Sequence, residues 1–195
     1  MKKNKRLHLL TSAIGGIVFS FAASGAALGG QILEYKLAVA EDGETYEIWM
    51  RPSAAPKPDI SLTGQVTLKV PTETAFKAIE VASAVSGADW VEASRVNAPE
   101  EAPDSDYISF SFVGLQGNSA HNYKWVEGEE KLVFTFKSES GCVDGVSIMP
   151  NDDPFNTAEG NSANTNPGNQ FTNLGWGAVS ENNFKSVYGE AVSCS

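Results

Sequence analysis

Eleven consecutive residues, 60–70, alternate strictly between two faces. Successive side chains of a β-strand point to opposite sides, so this pattern predicts a strand with one face on a core and the other in water. One face would carry Ile60, Leu62, Gly64, Val66, Leu68 and Val70, and the other Ser61, Thr63, Gln65, Thr67 and Lys69. An α-helix would scatter the same apolar side chains around its surface.

Shorter runs with the same period recur along the chain. They are Tyr35–Val39, Tyr46–Met50, Ile108–Phe112, Leu132–Phe136 and Val146–Ile148. Breaks rich in proline, glycine and acidic residues separate them. Seven or more short strands with one-sided burial predict an all-β protein, an antiparallel β-sandwich with jelly-roll or immunoglobulin-like topology. The Asp42-Gly43 pair predicts a tight hairpin between the first two runs, and Thr72–Ala84 fits either a helical turn or a strand.

The first 27 residues have the composition of a secretory signal peptide. Lys2, Lys3, Lys5 and Arg6 precede an apolar run, and small residues follow it up to Ala27. The apolar part is shorter than the ~20 residues needed to cross a bilayer. We therefore predict bacterial export, cleavage after Ala27, and a single domain over residues 28–195 that is secreted or held at the cell surface.

The predicted mature chain is strongly acidic. Losing residues 1–27 removes four of the 14 basic residues and none of the 24 acidic ones, so the net charge changes from −10 to −14. Such a charge repels phosphate groups, which excludes nucleic acid as a favourable partner. No membrane insertion is expected after cleavage.

Two cysteines, Cys142 and Cys194, remain in an exported chain. The simplest arrangement is one disulfide that ties the C-terminal tail to the domain. It would close a loop of roughly 50 residues and stabilise the fold by about 4 kcal/mol through chain entropy.

Residues 150–173, here called the Asn-rich segment, lack periodicity and contain seven asparagines. We predict a long loop, with Phe155 and Phe171 holding its two ends against the core. Three roles remain open: a self-bonded loop that covers a sheet edge, a ligand-contacting loop, and a calcium site. Amide side chains suit sugar hydroxyls, and the candidate ligand-binding residues of the segment are Asn161, Asn164, Asn166 and Asn169.

Calcium is the one cofactor that the sequence suggests. Asp152 and Asp153 offer the hard oxygen ligands that this ion prefers, and Asp104 and Asp106 could complete its shell. The spacing matches no EF-hand loop.

Nothing in the sequence indicates a reactive centre, and we predict that the protein is not an enzyme and has no catalytic residue. His121 is the single histidine after the leader, too few for a histidine-based zinc site. Phosphate-binding glycine motifs are missing. A pair of carboxylates for glycoside hydrolysis could come from Asp89, Glu92, Asp104 or Asp106, but surface acids of this kind usually serve solubility.

The four tryptophans could stack on sugar rings or pack in the core. Trp49 lies between Ile48 and Met50, on the opposite face from the apolar set, and is therefore the best candidate for an exposed stacking surface. Trp90 and Trp125 are expected at the edge of the core.

Together with the leader, three strand-like runs resemble the cohesin and carbohydrate-binding-module group of secreted bacterial sandwiches: Leu62–Val70, Asp106–Phe112 and Lys131–Phe136. The likeness covers about residues 31–150 and lies in the strand pattern. It implies a long amphipathic early strand and the binding of a partner module or a glycan.

The leading functional hypothesis is an extracellular, non-enzymatic module that binds another protein or copies of itself in a surface or matrix structure. A free N-terminal strand near Gln31, or an open sheet edge, would allow strand addition. The alternative is a carbohydrate-binding module, stabilised by calcium, that uses Trp49 and the Asn-rich segment.

Overall fold

The structure, a computed structural model, describes residues 30–113 and 121–194. The predicted leader lies outside these residues. The described chain contains ten strands: β1 (Leu33–Val39), β2 (Thr45–Pro52), β3 (Ser61–Pro71), β4 (Ala78–Ser83), β5 (Asp89–Asn97), β6 (Ser105–Val113), β7 (Lys131–Ser138), β8 (Ser147–Ile148), β9 (Gln170–Asn173) and β10 (Phe184–Val187). A 3-10 turn spans Thr72–Thr74, and one short helix, α1, spans Pro154–Thr157.

The strands form two sheets. Sheet A has the order β10-β1-β2-β7-β4, and sheet B has the order β5-β6-β3-β8, with β9 also pairing with β3. All strand pairs are antiparallel except β1 and β10, which run parallel. The predicted all-β sandwich is confirmed.

The hairpin between β1 and β2 forms where the sequence places it. Gly43 adopts a positive φ of 72°, which glycine reaches without strain. The carboxylate of Asp42 accepts hydrogen bonds from the N–H groups of Glu44 and Thr45 and from the Thr45 hydroxyl. These bonds lower the pKa of Asp42 to about 2, and the Thr45 hydroxyl makes the largest contribution.

An aromatic core fills the space between the sheets. Trp90 stacks on Phe134 with 4.8 Å between ring centroids, and Tyr46 stacks on Phe136 at 5.0 Å. Trp90 and Trp125 are both buried, in agreement with the prediction for these two residues. The Trp90 ring also packs closely against the backbone of β3, because a Cβ on Gly64 would lie only 2.9 Å from it.

The strict alternation predicted for residues 60–70 fails at the start of β3 and at Thr67. A bulge shifts the register between Ser61 and Thr63, so that Ser61 is buried while Ile60 and Leu62 are only half-buried. Thr67 is buried because the Asn-rich segment lies on it: its hydroxyl donates to the Pro167 carbonyl at 2.6 Å, and its N–H donates to Asn169 Oδ1 at 2.8 Å. The prediction that this whole face meets water is therefore wrong at Thr67.

The ambiguous stretch 72–84 contains both predicted alternatives. The 3-10 turn Thr72–Thr74 comes first, and β4 then pairs with β7 at the edge of sheet A. Between them Phe76 is buried against Tyr46 and Phe136.

The N-terminal strand is not free, so that prediction is wrong. Strand β1 lies inside sheet A, between β10 and β2. Just after Gln31, the N–H groups of Ile32 and Leu33 both donate to the Asn183 carbonyl at 2.8 Å. Strand addition at this position would first require β10 to leave.

The predicted disulfide between Cys142 and Cys194 is present, with 5.8 Å between the Cα atoms. It ties down a tail whose Val192 N–H donates to the Val146 carbonyl at 3.0 Å. A disulfide is compatible with an extracellular protein. Among the described residues, no helix has the length and apolar character to cross a membrane.

Candidate functional site

The Asn-rich segment packs on the outer face of sheet B and is held at both ends. Phe155, in α1, is buried with Tyr107 and Met149 in a small second cluster on that face. Phe171, in β9, is buried in the main core. The two predicted anchors are therefore confirmed, although they belong to different clusters.

Asp153 organises the start of the segment. Its Oδ1 caps α1 by accepting the Phe155 N–H at 2.9 Å and also accepts the Tyr107 hydroxyl at 2.8 Å. Its Oδ2 lies 2.7 Å from Lys69 Nζ. Burial raises the pKa of Tyr107 well above its usual value, and the hydrogen bond to Asp153 adds to this effect.

Two of the predicted ligand-binding asparagines are used inside the protein. Asn169 accepts from the Thr67 N–H and donates to the Met149 carbonyl. Asn161 donates to the carbonyls of Phe155 and Thr165 and accepts the Thr165 N–H. Both are buried. These amides satisfy backbone groups that the loop leaves without partners.

The other two asparagines are exposed and differ in position. Asn164 has a positive φ of 50°, a conformation that asparagine tolerates better than most residues. Asn166 lines a cleft of about 330 Å³ between the segment and the start of β10. The amide side chains that line this cleft are Gln31, Asn151, Asn156, Asn166, Gln170 and Asn182, together with the structural Asn169. We call it the amide cleft.

Asn182 fixes the floor of the amide cleft. Its Oδ1 accepts the N–H groups of Phe171 and Phe184, and its Nδ2 donates to the Asn169 carbonyl at 2.9 Å. It thereby connects β9 to β10. Sequence reasoning missed Gln31 and Asn182, because only the pairing of β10 with β1 brings them beside the Asn-rich segment. It also missed Gln170, which lies within the segment.

The four candidate calcium ligands do not converge. Asp153 is engaged with Lys69, and Asp106 Oδ1 accepts the Ala98 N–H and the Thr72 hydroxyl. Asp104 and Asp152 are exposed. Within residues 30–113 and 121–194, no group of three or more acidic, histidine or cysteine side chains is arranged to hold a metal ion. Calcium binding stays a prediction.

Trp49 lies on the outer face of sheet A and does not line the amide cleft. Its ring is half-buried, its Nε1 donates to Glu47 Oε2 at 2.9 Å, and Lys36 Nζ lies 5.5 Å from its centroid. The structure therefore does not bring the two predicted sugar-binding features, Trp49 and the asparagines, to one place.

The surroundings of Trp49 form an ion network on the same face. Arg51 packs its guanidinium 4.3 Å from the Tyr188 ring centroid and bonds Glu34. Burial opposes ionisation of Glu34, but hydrogen bonds from Arg51 and Lys185 outweigh it and lower its pKa. Lys36 Nζ lies 5.5 Å from the centroids of both the Trp49 and the Tyr188 rings, so that it interacts with both aromatic residues of this face.

The edge strands β4 and β5 lie together on another side of the sandwich. Among the described residues, each pairs with a strand on one side only, and a groove of about 480 Å³ lies between the start of β4 and the strand β5. Arg95 spans this groove, donating to the Phe76 carbonyl at 2.7 Å while pairing with Glu92. Val91 in β5 is 42% exposed, and it is the one large exposed hydrophobic residue in a described strand.

Both edge strands carry a bulge. The register shifts between Ile79 and Ala82 in β4 and between Glu92 and Ser94 in β5. Bulges and charged side chains are the usual means by which an open edge avoids unspecific pairing. A partner strand must therefore match an irregular register.

Of the acidic and histidine side chains weighed for catalysis, Asp104 is exposed and Asp106 is buried. Asp89 is exposed, Glu92 is paired with Arg95, and exposed His121 places Nδ1 2.9 Å from the Asp59 carbonyl oxygen.

In comparisons with known proteins, no family model, no curated protein and no solved structure matches the chain. The resemblance to cohesins and carbohydrate-binding modules stays a prediction based on strand pattern.

Proposed function

We propose that the mature chain is an extracellular protein-interaction module that acts by binding, and that it pairs with a second copy of itself through the side formed by β4 and β5. The observation that carries the proposal is the long open edge of β5. Nine residues of backbone lie there with a strand on one side only, among residues that the structure describes. An extended segment of a second copy would extend sheet B by main-chain hydrogen bonds.

The side chains of β5 support pairing with a partner. Val91 offers apolar surface that would gain from burial. The neighbours Ala93 and Ser94 are small and exposed, so a second strand can approach closely. The bulge between Glu92 and Ser94 would restrict the partner to a matching register, which favours an ordered assembly over random aggregation.

The net charge of the mature chain opposes this association at low ionic strength. Two copies at −14 repel each other over the Debye length, which is ~30 Å at 0.01 M salt and ~8 Å at 0.15 M. Association should therefore strengthen as salt is added. A contact dominated by ion pairs would show the opposite trend.

Sedimentation equilibrium of residues 28–195 tests the proposal across protein concentration and salt. We expect concentration-dependent association that increases with salt. Val91→Lys should weaken it, because the variant places a charge on the pairing edge. The matched control is Val179→Lys, since Val179 is 67% exposed and lies outside the strands.

Two results would contradict the proposal. One is a monomer at every concentration and salt tested. The other is an equal change of association in both variants, which would show that the effect does not depend on the β5 edge.

A further inference from the structure

The amide cleft has an uncharged lining. In a mature chain of net charge −14, no charged side chain of a described residue lines it. Amides carry both donors and acceptors, as sugar hydroxyls do. We propose that this cleft binds a neutral carbohydrate. The site is separate from the β4–β5 side and goes beyond the proposed protein interaction.

Two acceptors converge in the cleft. A Cβ built on Gly168 would lie 2.9 Å from Asn156 Oδ1 and 3.4 Å from Asn166 Oδ1, so both amide oxygens lie over the same glycine. A ligand hydroxyl beside Gly168 would have two acceptors within reach. A side chain at this position would crowd both amide oxygens, and glycine avoids this contact.

The remaining amides divide into two kinds. The side chains of Gln31, Asn166 and Gln170 make no hydrogen bond with another described residue, so their donors and acceptors are available to a ligand. Asn151 Nδ2 donates to the Lys185 carbonyl, and Asn156 Nδ2 donates to the Asn151 carbonyl. Both residues keep their side-chain oxygens as acceptors.

The backbone that carries these amides is held in place before any ligand arrives. Asn182 connects β9 to β10, Asn169 ties the residues just before β9 to Thr67 and Met149, and the Tyr35 hydroxyl donates to the Gln170 carbonyl at 2.8 Å. A site that is already ordered loses less conformational entropy on binding.

Size and electrostatics narrow the ligand class. The volume of about 330 Å³ is at the lower end of the ~300–1,000 Å³ typical of ligand sites. A short saccharide, or the end of a longer chain, fits that space. An anionic sugar would be repelled by the net charge of the protein and would find no basic partner among the described residues that line the cleft.

Nuclear magnetic resonance titration of ¹⁵N-labelled residues 28–195 tests this inference, with lactose, maltose and cellobiose as neutral probes and glucuronate as the anionic comparison. We expect saturable shifts of the side-chain amide signals of Asn166 and Gln170 with at least one disaccharide. Glucuronate should produce weaker shifts at the same signals.

Variants locate the binding. Asn166→Ala and Gln170→Ala should each weaken it about five- to tenfold, the effect of one lost hydrogen bond. Gly168→Ala should abolish it, since the new methyl group displaces the Asn156 side chain. Asn164→Gly is the control: it removes an amide of the same segment outside the cleft at a φ that suits glycine, and should leave binding unchanged.

Two outcomes would overturn the inference. The first is the absence of saturable shifts with all three disaccharides up to their solubility limits. The second is binding reported by the Trp49 indole N–H and unaffected by the cleft variants, which would place sugar recognition on sheet A.

Discussion

The sandwich strands and the Asn-rich segment are stabilised in different ways. Strands such as β1 and β2 bury alternate side chains against the opposite sheet, and their backbone groups bond each other. The segment has one helical turn and one short strand, and buried amides such as Asn161 and Asn169 bond the rest of its backbone. The same fold therefore combines a region specified by apolar periodicity with a region specified by individual hydrogen bonds.

The largest expected effect on stability comes from the removal of one buried ring from each region. Phe134→Ala removes a ring that contacts Trp90, Phe110 and Phe136, and should lower the free energy of unfolding by about 4–5 kcal/mol. Phe155→Ala removes a ring from the small cluster only and should cost about 3 kcal/mol. Urea denaturation of both variants measures this difference.

Amide hydrogen exchange shows which residues lose protection in each of these two variants. In Phe134→Ala the amides of β6 and β7 should lose protection together with the rest of the chain. In Phe155→Ala the loss should be concentrated in residues 150–169 while the strand amides keep theirs. Uniform loss in both variants would mean that segment and sandwich unfold as one unit, and the contrast between them would be wrong.

Removal of the disulfide should act on the whole fold. The bond joins residues 52 positions apart, so Cys142→Ser with Cys194→Ser should destabilise the chain by about 3–4 kcal/mol, chiefly by loosening the unfolded state. The thermal midpoint of the double variant against the oxidised wild type measures this. Loss of protection confined to the tail, with an unchanged midpoint, would contradict it.

A pair of asparagine variants tests whether the segment depends on particular amides. Asn169→Ala leaves the Thr67 N–H and the Met149 carbonyl buried without partners and should cost about 2–3 kcal/mol. Asn166→Ala removes an exposed amide that bonds no described residue and should cost close to nothing. Equal effects in urea denaturation would show that composition, and not position, stabilises the segment.

The same pair explains how far the sequence could predict this molecule. Alternation predicted the sandwich and most inward-facing residues, because burial of alternate side chains is a local property of a strand. Asn166 and Asn169 look alike in sequence. Their roles differ because β3 presents the Thr67 N–H to the side chain of Asn169, whereas Gln65 of the same strand bonds Asn166 only at its backbone carbonyl. Such long-range contacts are not contained in any local pattern.

The candidate sites likewise depend partly on local sequence and partly on long-range strand pairing. Asn166 could be selected from composition, but its neighbour Gln31 reaches the amide cleft only through the pairing of β1 with β10. The edge position of β5 likewise depends on strand order, which alternation does not determine. Alternation also predicts Trp49 on the outward face of β2, where the structure has it. There, however, Lys36 Nζ lies 5.5 Å from its ring centroid and Glu47 accepts its indole N–H.

The smallest expected effect concerns the hairpin of the periodic region, where one side chain acts as the amides of the segment do. The pKa of Asp42 is lowered from 3.8 to about 2 by the Thr45 hydroxyl and by the N–H groups of Glu44 and Thr45. The folded state therefore binds the proton less tightly than the unfolded state, and the stabilisation is present above about pH 4. This stabilisation should be lost as the pH falls from 4 through 2.

Asp42→Asn should make acid unfolding less steep in that range, whereas Glu41→Gln, which removes an adjacent exposed carboxylate, should not. A midpoint near 4 for the Asp42 carboxyl carbon in a nuclear magnetic resonance titration would show that the turn bonds are not maintained in solution, and that this hairpin depends on Gly43 and strand pairing alone.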